Sequence, residues 1–277
     1  MHYLQITIPA ADPSLQEILI AQLSMLGYEG FEQQDSFLQA FLPETSFDSA
    51  ALDAFLSPHS LTYTREKLEE KNWNEEWEKN FHPVIVEDFC AIRAFFHDPI
   101  PGMKHELVIT PKMSFGTGHH ATTYMMIQAM EYLDFRGQRV LDFGTGTGVL
   151  AILAERLGAR EVIAIDNDDW SIDNARENIT ENGCTRITLL KADVIPPVTP
   201  LNSLFDIVLA NINKHVILEQ LPLIGQHLKP GGVILFSGLL QDDEKDIREA
   251  AAGNNISISE RMTKGSWICL KAEKESK

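Results

Sequence analysis

The chain has 277 residues, 44% of them apolar and 23% charged, which is long enough for one large domain or two ordinary ones and reads as globular. Its net charge of −17 is concentrated at the front: residues 1–64 hold eight acids and neither Lys nor Arg, a field that repels phosphate backbones and attracts basic partners. Direct nucleic-acid binding is therefore disfavoured, and with no run of eighteen apolar residues no membrane helix is expected.

Residues 1–8 lack the basic and apolar regions of a secretion signal, so a cytoplasmic location is expected. Cys90, Cys184 and Cys269 lie far apart with no C-x-x-C spacing, which suits reduced thiols and offers no metal framework. Residues 3–8 alternate apolar and polar as a strand does. Asp12-Pro13-Ser14 then starts a helix whose Leu15, Ile18, Leu19, Leu23 and Leu26 recur at helical spacing, and Gly27 ends it. Residues 28–33 and 37–42 are strand candidates split by a turn at Asp35-Ser36, residues 47–56 a second helix, and residues 61–65 a closing strand. The order β-α-β-β-α-β is the ferredoxin-like arrangement, so residues 1–65 are expected to form a small α+β recognition domain.

Residues 66–80 change character to Glu, Lys and Asn. Trp73 and Trp77, four apart, would share one face of a linker helix. The remainder, residues 81–277, is expected to be a second domain that opens with two short strands within residues 81–96. A strand over residues 106–110 leaves at Pro111 and leads into Phe115-Gly-Thr-Gly-His-His-Ala-Thr-Thr123, a loop that enters a helix at about Ala121. A metal site at His119-His120 is rejected, because adjacent side chains diverge and no Cys or carboxylate stands at ligand spacing. Hydroxyls, glycines and imidazoles there suit a loop folding over a cofactor, with Thr122 and Thr123 at a helix N-terminus.

Val140-Leu-Asp-Phe-Gly-Thr-Gly-Thr-Gly-Val-Leu150 is a strand, a glycine turn and a helix start, where backbone N–H groups can meet a ligand. The dinucleotide pattern G-x-G-x-x-G needs glycine at 149, and Val149 stands there. Strand and helix then alternate, with strands near 161–165, 187–191, 205–210 and 233–237, helices near 148–157, 171–181, 214–228 and 242–252, and a terminal hairpin at 256–261 and 266–271. That alternation predicts an open, mostly parallel sheet with ligands beyond the carboxyl ends of its strands. Asp166 closes a strand 22 residues after Gly144, where a carboxylate takes two hydrogen bonds from a ribose diol. Asp193 is placed for an adenine amino group, and Asn211 ends the fourth strand beside the reactive end of such a ligand. No proline or aromatic follows Asn211, which argues against adenine or glutamine amide acceptors.

The form D-x-G-x-G-x-G over 142–148 resembles the Rossmann-like S-adenosylmethionine methyltransferases. With Phe115–Thr123, Ala210-Asn-Ile212 and Ser237-Gly-Leu-Leu-Gln241 in this order, essentially the whole chain resembles the PrmA family, which methylates protein eleven of the large ribosomal subunit. The resemblance implies a seven-stranded methyltransferase domain behind the ferredoxin-like one, with S-adenosyl-L-methionine as cofactor. It also implies a basic ribosomal protein as substrate, modified at lysine ε-amines and the N-terminal α-amine. Its expected cofactor contacts are Thr123, Gly144, Asp166 and Asn211, to which the turn, loop and strand ends add Phe115, Gly116, Thr145, Gly146, Gly148, Asn167 and Asp193. Many members carry His-Pro-Thr-Thr where this chain has His120-Ala-Thr-Thr. An electron-transfer-flavoprotein lysine methyltransferase shares part of the pattern, but the N-terminal segment fits PrmA better. No catalytic residue and no metal is assigned, and a monomer is expected. Two rival classes are weighed: a nicotinamide oxidoreductase, opposed by Val149 and by the lack of a hydride-handling pair, and a non-catalytic binding protein.

Overall fold

The computed structural model describes residues 3–68, 82–110, 116–195 and 204–276, and the chain divides into two compact units, Met1–Phe81 and His82–Lys277. The first unit runs β1 (Tyr3–Pro9), α1 (Pro13–Met25), β2 (Gly30–Gln33), β3 (Phe37–Pro43), α2 (Ser49–Leu56) and β4 (Thr64–Leu68). The strands pair antiparallel in the order β2-β3-β1-β4, the ferredoxin-like topology expected from the element order. Both helices start on an aspartate: Asp12 accepts the Ser14 N–H at 3.0 Å, and Asp48 accepts those of Ala50 and Ala51. Alternation on β1 and β3 turns Leu4, Ile6, Ile8, Leu38, Ala40 and Leu42 towards the helices, where Leu19, Leu23, Leu52 and Leu56 complete a dry core.

Strand β4 begins and ends three residues later than the sequence pattern suggests. Its position is set by pairing with β1, which matches Gln5 to Glu66 and Tyr3 to Leu68, and by the ion pair of Lys67 with Glu44. Residues 66–68 are thus strand rather than the start of a linker helix. The rest of that expected linker, including Trp73 and Trp77, lies outside the described residues.

In the second unit β5 (Val84–Val86), β6 (Cys90–Arg93) and β7 (His105–Val108) form a small sheet ahead of α3 (Ala121–Met130). The main sheet follows: β8 (Arg139–Phe143), α4 (Val149–Arg156), β9 (Glu161–Asp166), α5 (Asp169–Glu181), β10 (Ile187–Lys191), β11 (Phe205–Asn211), α6 (Lys214–His227), β12 (Leu228–Leu240), α7 (Glu244–Gly253), β13 (Ile256–Lys264) and β14 (Trp267–Lys274). Its seven strands lie in the order β10-β9-β8-β11-β12-β14-β13. The first five are parallel, and β14 inserts antiparallel between β12 and β13.

Both faces of the sheet are buried, so its central strands read as continuous apolar runs. Val140, Val162, Ala164 and Leu209 point to the core under α3 and α4, while Leu141, Ile163, Ile165 and Val208 point to the core under α6 and α7. Arg139, 1% exposed, opens β8 with its guanidinium paired to Glu161 at 2.6 Å and stacked 4.5 Å from the Phe205 ring centre. β12 is longer than expected because its pairing with β11 skips residues 229–232 between Leu228 and Val233. Among the described residues no helix is long and apolar enough to cross a membrane.

Candidate functional site

Parallel order brings the carboxyl ends of β8, β9 and β11 together, and a cleft of about 500 Å³ opens there. Gly144, Gly146 and Gly148 all adopt positive φ, at 77°, 55° and 82°, which bends the chain sharply between β8 and α4. The N–H groups of Gly144 and Thr145 both donate to the Ile165 carbonyl at 2.9 Å, and that of Gly146 donates to Asp166 Oδ2 at 2.8 Å. The two threonines face inward. Thr145 donates to Asp142 Oδ2 at 2.6 Å, and Thr147 donates to the Gly116 carbonyl at 2.8 Å. Gly144 and Gly146 therefore present bare backbone to the cleft while the threonines tie the turn to the protein behind it. Burial pushes the Asp142 carboxyl up to about 7, against the pull of the Thr145 hydroxyl and the Ala151 N–H, with the Asp166 charge adding to the rise.

Six of the expected cofactor contacts line the cleft: Gly144, Gly146, Asp166, Asn167, Asp193 and Asn211. Asp166 also accepts the Asp168 N–H, so both carboxylate oxygens are oriented by backbone donors and keep further lone pairs for a ligand. Asn211 donates to Thr123 Oγ1 at 3.2 Å, while its Oδ1 is buried with no hydrogen-bond partner among the described residues. An orphaned acceptor at a cleft wall is a ready partner for a ligand's donor.

Thr123 is fully buried and acts on the cleft through Asn211 rather than by lining it. Thr145, Gly116 and Gly148 likewise stand behind the described lining of the cleft. Thr145 is turned to Asp142, Gly116 spends its carbonyl on Thr147, and Gly148 sits at the N-cap of α4. Phe115 lies outside the described residues.

Further lining residues that the sequence pattern did not assign are Phe143, Ile212, Val216, Gly238 and Trp267; His120 and Thr122, from the loop expected to fold over a cofactor, also line the cleft. Gly238 was within reach, since it sits in the Ser237-Gly-Leu-Leu-Gln241 motif. A Cβ there would come 2.4 Å from the Ile212 carbonyl oxygen, and one at Gly144 would come 2.2 Å from Ile212 Cγ2. Trp267 carried no signal, being 119 residues beyond Gly148 at the start of a hairpin strand. Its ring packs edge-on to His120 with centres 4.7 Å apart.

The imidazoles are already engaged. His120 Nδ1 accepts the Thr122 N–H as a helix cap, and His119 reaches the His82 carbonyl through Nε2 and the Thr117 hydroxyl through Nδ1. Two acids stand at the β9–β10 end of the cleft, whereas among the described residues the lining from Asn211 to Trp267 carries no carboxylate. Such a cleft suits an elongated ligand with a diol and a polar ring at one end, and an apolar or uncharged partner at the other.

The family model for ribosomal protein L11 methyltransferase (PrmA) matches residues 12–275. A ribosomal protein L11 methyltransferase of Porphyromonas gingivalis is 38% identical over 266 residues, covering 94% of this chain and 91% of the relative. One of Phocaeicola vulgatus is 36% identical, covering 98% of this chain and 99% of the relative. The crystal structure of a ribosomal protein L11 methylase from Lactobacillus delbrueckii subsp. bulgaricus superposes with a TM-score of 0.65 at 31% identity, over 70% of this chain and 100% of that one.

Proposed function

The chain belongs to the ribosomal protein L11 methyltransferase family, and from that premise we propose that it methylates lysine ε-amines and the N-terminal α-amine of ribosomal protein L11, using S-adenosyl-L-methionine. The observation that carries the cofactor reading is the orphaned Asn211 Oδ1 in the same cleft as the bare backbone of Gly144 and the oriented carboxylate of Asp166. Asp166 would take the ribose diol, Asp193 the adenine amino group, and the Gly144 and Gly146 backbone the amino-acid end. Bound there, the sulfonium supplies an activated methyl: the amine lone pair forms the new C–N bond as the C–S pair returns to sulfur.

The protein's share is alignment and dehydration, because the leaving group needs no acid. Ile212, Val216 and Trp267 give the acceptor end an apolar lining that disfavours an ammonium and eases loss of its proton. An α-amine, with a pKa near 7.8, arrives far readier than a lysine near 10.4. Both histidines are occupied in structural bonds, so no general base is assigned. The acidic first unit serves as the recognition element for a basic protein, and the enzyme acts in the cytoplasm as a monomer without direct contact to nucleic acid.

The experiment is transfer of label from S-adenosylmethionine to purified L11, with Asn211→Ala as control. Label on L11 amines, lost at least about tenfold in the variant, is expected. Cofactor binding without transfer to L11 would sink the substrate assignment, and tight NAD binding in place of S-adenosylmethionine would sink the cofactor assignment.

A further inference from the structure

The cleft runs along the strand ends of the main sheet. From Ala192 and Asp193 beyond β10 it crosses the ends of β9 and β8 to Asn211 on β11, then continues to Gly238 of β12 and Trp267 of β14. Assigning that second stretch to the acceptor rests on the methyl-transfer reading. Its outer wall, Trp267, belongs to a hairpin tip, and a hairpin tip stays where its contacts hold it.

The β12–β14 register, which pairs Leu240 with Trp267, holds the tip's backbone to the end of β12, and two hydrogen bonds add to it: the Gln241 N–H donates to the Ser266 carbonyl at 3.0 Å and its side-chain amide to the Gly265 carbonyl at 2.9 Å. Two others tie it to α3. Trp267 meets the His120 ring, and Lys264 Nζ stands 3.5 Å from the centre of the Tyr124 ring. Lys264 and Trp267 are opposite each other in the β13–β14 register, so the ammonium sits across the hairpin from the indole. Tyr124 follows Thr123, whose hydroxyl receives the Asn211 amide. One turn of α3 therefore aims Asn211 and anchors the tip that carries Trp267.

We propose that Lys264 is a positioning residue for methyl transfer: its ammonium on the Tyr124 ring locks the β13–β14 tip to α3 and fixes Trp267 as the wall of the acceptor end. A cation over an aromatic face is a directional contact that Arg can replace and Leu or Gln cannot. Lys264 touches neither ligand, so its loss acts on acceptor geometry and leaves the Asp166–Asp193 end untouched.

The test uses the full chain with Lys264→Leu, Lys264→Arg, Tyr124→Leu and Tyr124→Phe. Trp267 exposure is read by acrylamide quenching in a background where Trp73, Trp77 and Trp170 are replaced by Phe. S-adenosylmethionine affinity and steady-state transfer to L11 are measured alongside. Expected for Lys264→Leu are a cofactor Kd within about twofold of the parent, increased Trp267 quenching, and kcat/KM for the acceptor lower by about fivefold. Lys264→Arg and Tyr124→Phe should restore both readouts, and Leu at both positions together should be no worse than at either one. Unchanged Trp267 quenching in Lys264→Leu, or an Arg variant as impaired as the Leu variant, overturns the proposal. If the parent enzyme binds cofactor but leaves L11 unmodified, the acceptor assignment falls, while the quenching comparison still decides whether the clamp exists. Should Lys264→Leu fail to fold, Tyr124→Leu reads the same contact from the other side.

Discussion

Gly144 has no room for a side chain. Its φ of 77° is strained for any L residue, and a Cβ would stand 2.2 Å from Ile212 Cγ2, on the strand end that carries Asn211. Gly144→Ala is expected to raise the S-adenosylmethionine Kd by about tenfold or more, about 1.4 kcal/mol per decade, in a calorimetric titration. An unchanged Kd would show that the turn yields freely. Two residues earlier, Asp142 makes a prediction of a different kind. Its carboxyl is held near 7 in the folded protein by burial, against an ordinary value of 3.8 in the unfolded chain. Below pH 4 both states are protonated. Between pH 4 and 7 the unfolded chain releases this proton and the folded one keeps it, so folding grows less favourable as pH rises, by a few kcal/mol in all. Above pH 7 the contribution is flat. The difference in unfolding free energy between the parent and Asp142→Asn, measured by denaturant titration at several pH values, should carry that slope, and a difference independent of pH over this window would refute it.

Helix α5 shows how an element can be shaped by polar residues that periodicity passes over. Asn174, Asn178 and Asn182 fall four apart on one buried face. Asn182 exchanges hydrogen bonds with the Val108 backbone at 3.0 and 2.7 Å, while Asn178 accepts the Thr110 N–H at 3.0 Å and donates to the Thr147 carbonyl at 2.8 Å. The ladder pairs backbone at the end of β7 and just beyond it and joins it to the glycine turn. Asn178→Ala leaves one buried and one part-buried backbone group unpaired, so a loss of about 2 kcal/mol is expected on chemical denaturation; a loss below about 0.5 kcal/mol would mean water replaces the amide. The sequence pattern revealed the parallel sheet because β8, β9 and β11 bury both faces and so read as apolar runs between helices. It missed the asparagine ladder because hydrophobic periodicity is silent on polar residues that satisfy backbone. It placed β4 too early, since an edge strand with exposed side chains is located by pairing and not by pattern. The cleft end built from β8, β9 and β11 was legible, being local to a glycine turn and strand tips. The end built from Trp267 and Gly238 was not, because it depends on β14 folding back between β12 and β13, a placement no local signal encodes.

Across the whole molecule, charge and core divide unevenly between the two units. The second has hydrophobic cores on both faces of its main sheet, and residues 82–277 hold all the described lining of the cleft. The first has a core of its own and eight acids in residues 1–64, all exposed. Asp12 and Asp48 among them cap helices, and Glu44 pairs with Lys67, but the rest add to a field that no Lys or Arg before Arg65 offsets. A chain of residues 82–277 alone is therefore expected to fold, to bind S-adenosylmethionine within about threefold of the full chain, and to lose transfer to L11 by at least about a hundredfold. Exposed charges act through solvent and are screened over about 10 Å at 0.1 M salt. Raising ionic strength from roughly 0.05 to 0.5 M should thus lift the KM for L11 several-fold in the full chain while the cofactor Kd moves little. The two measurements separate the roles. If the truncated chain methylates L11 as well as the parent, the first unit is not the recognition element. If it loses transfer but the full chain shows no salt dependence, recognition rests on shape and apolar contact, and the acids serve helix capping and solubility instead.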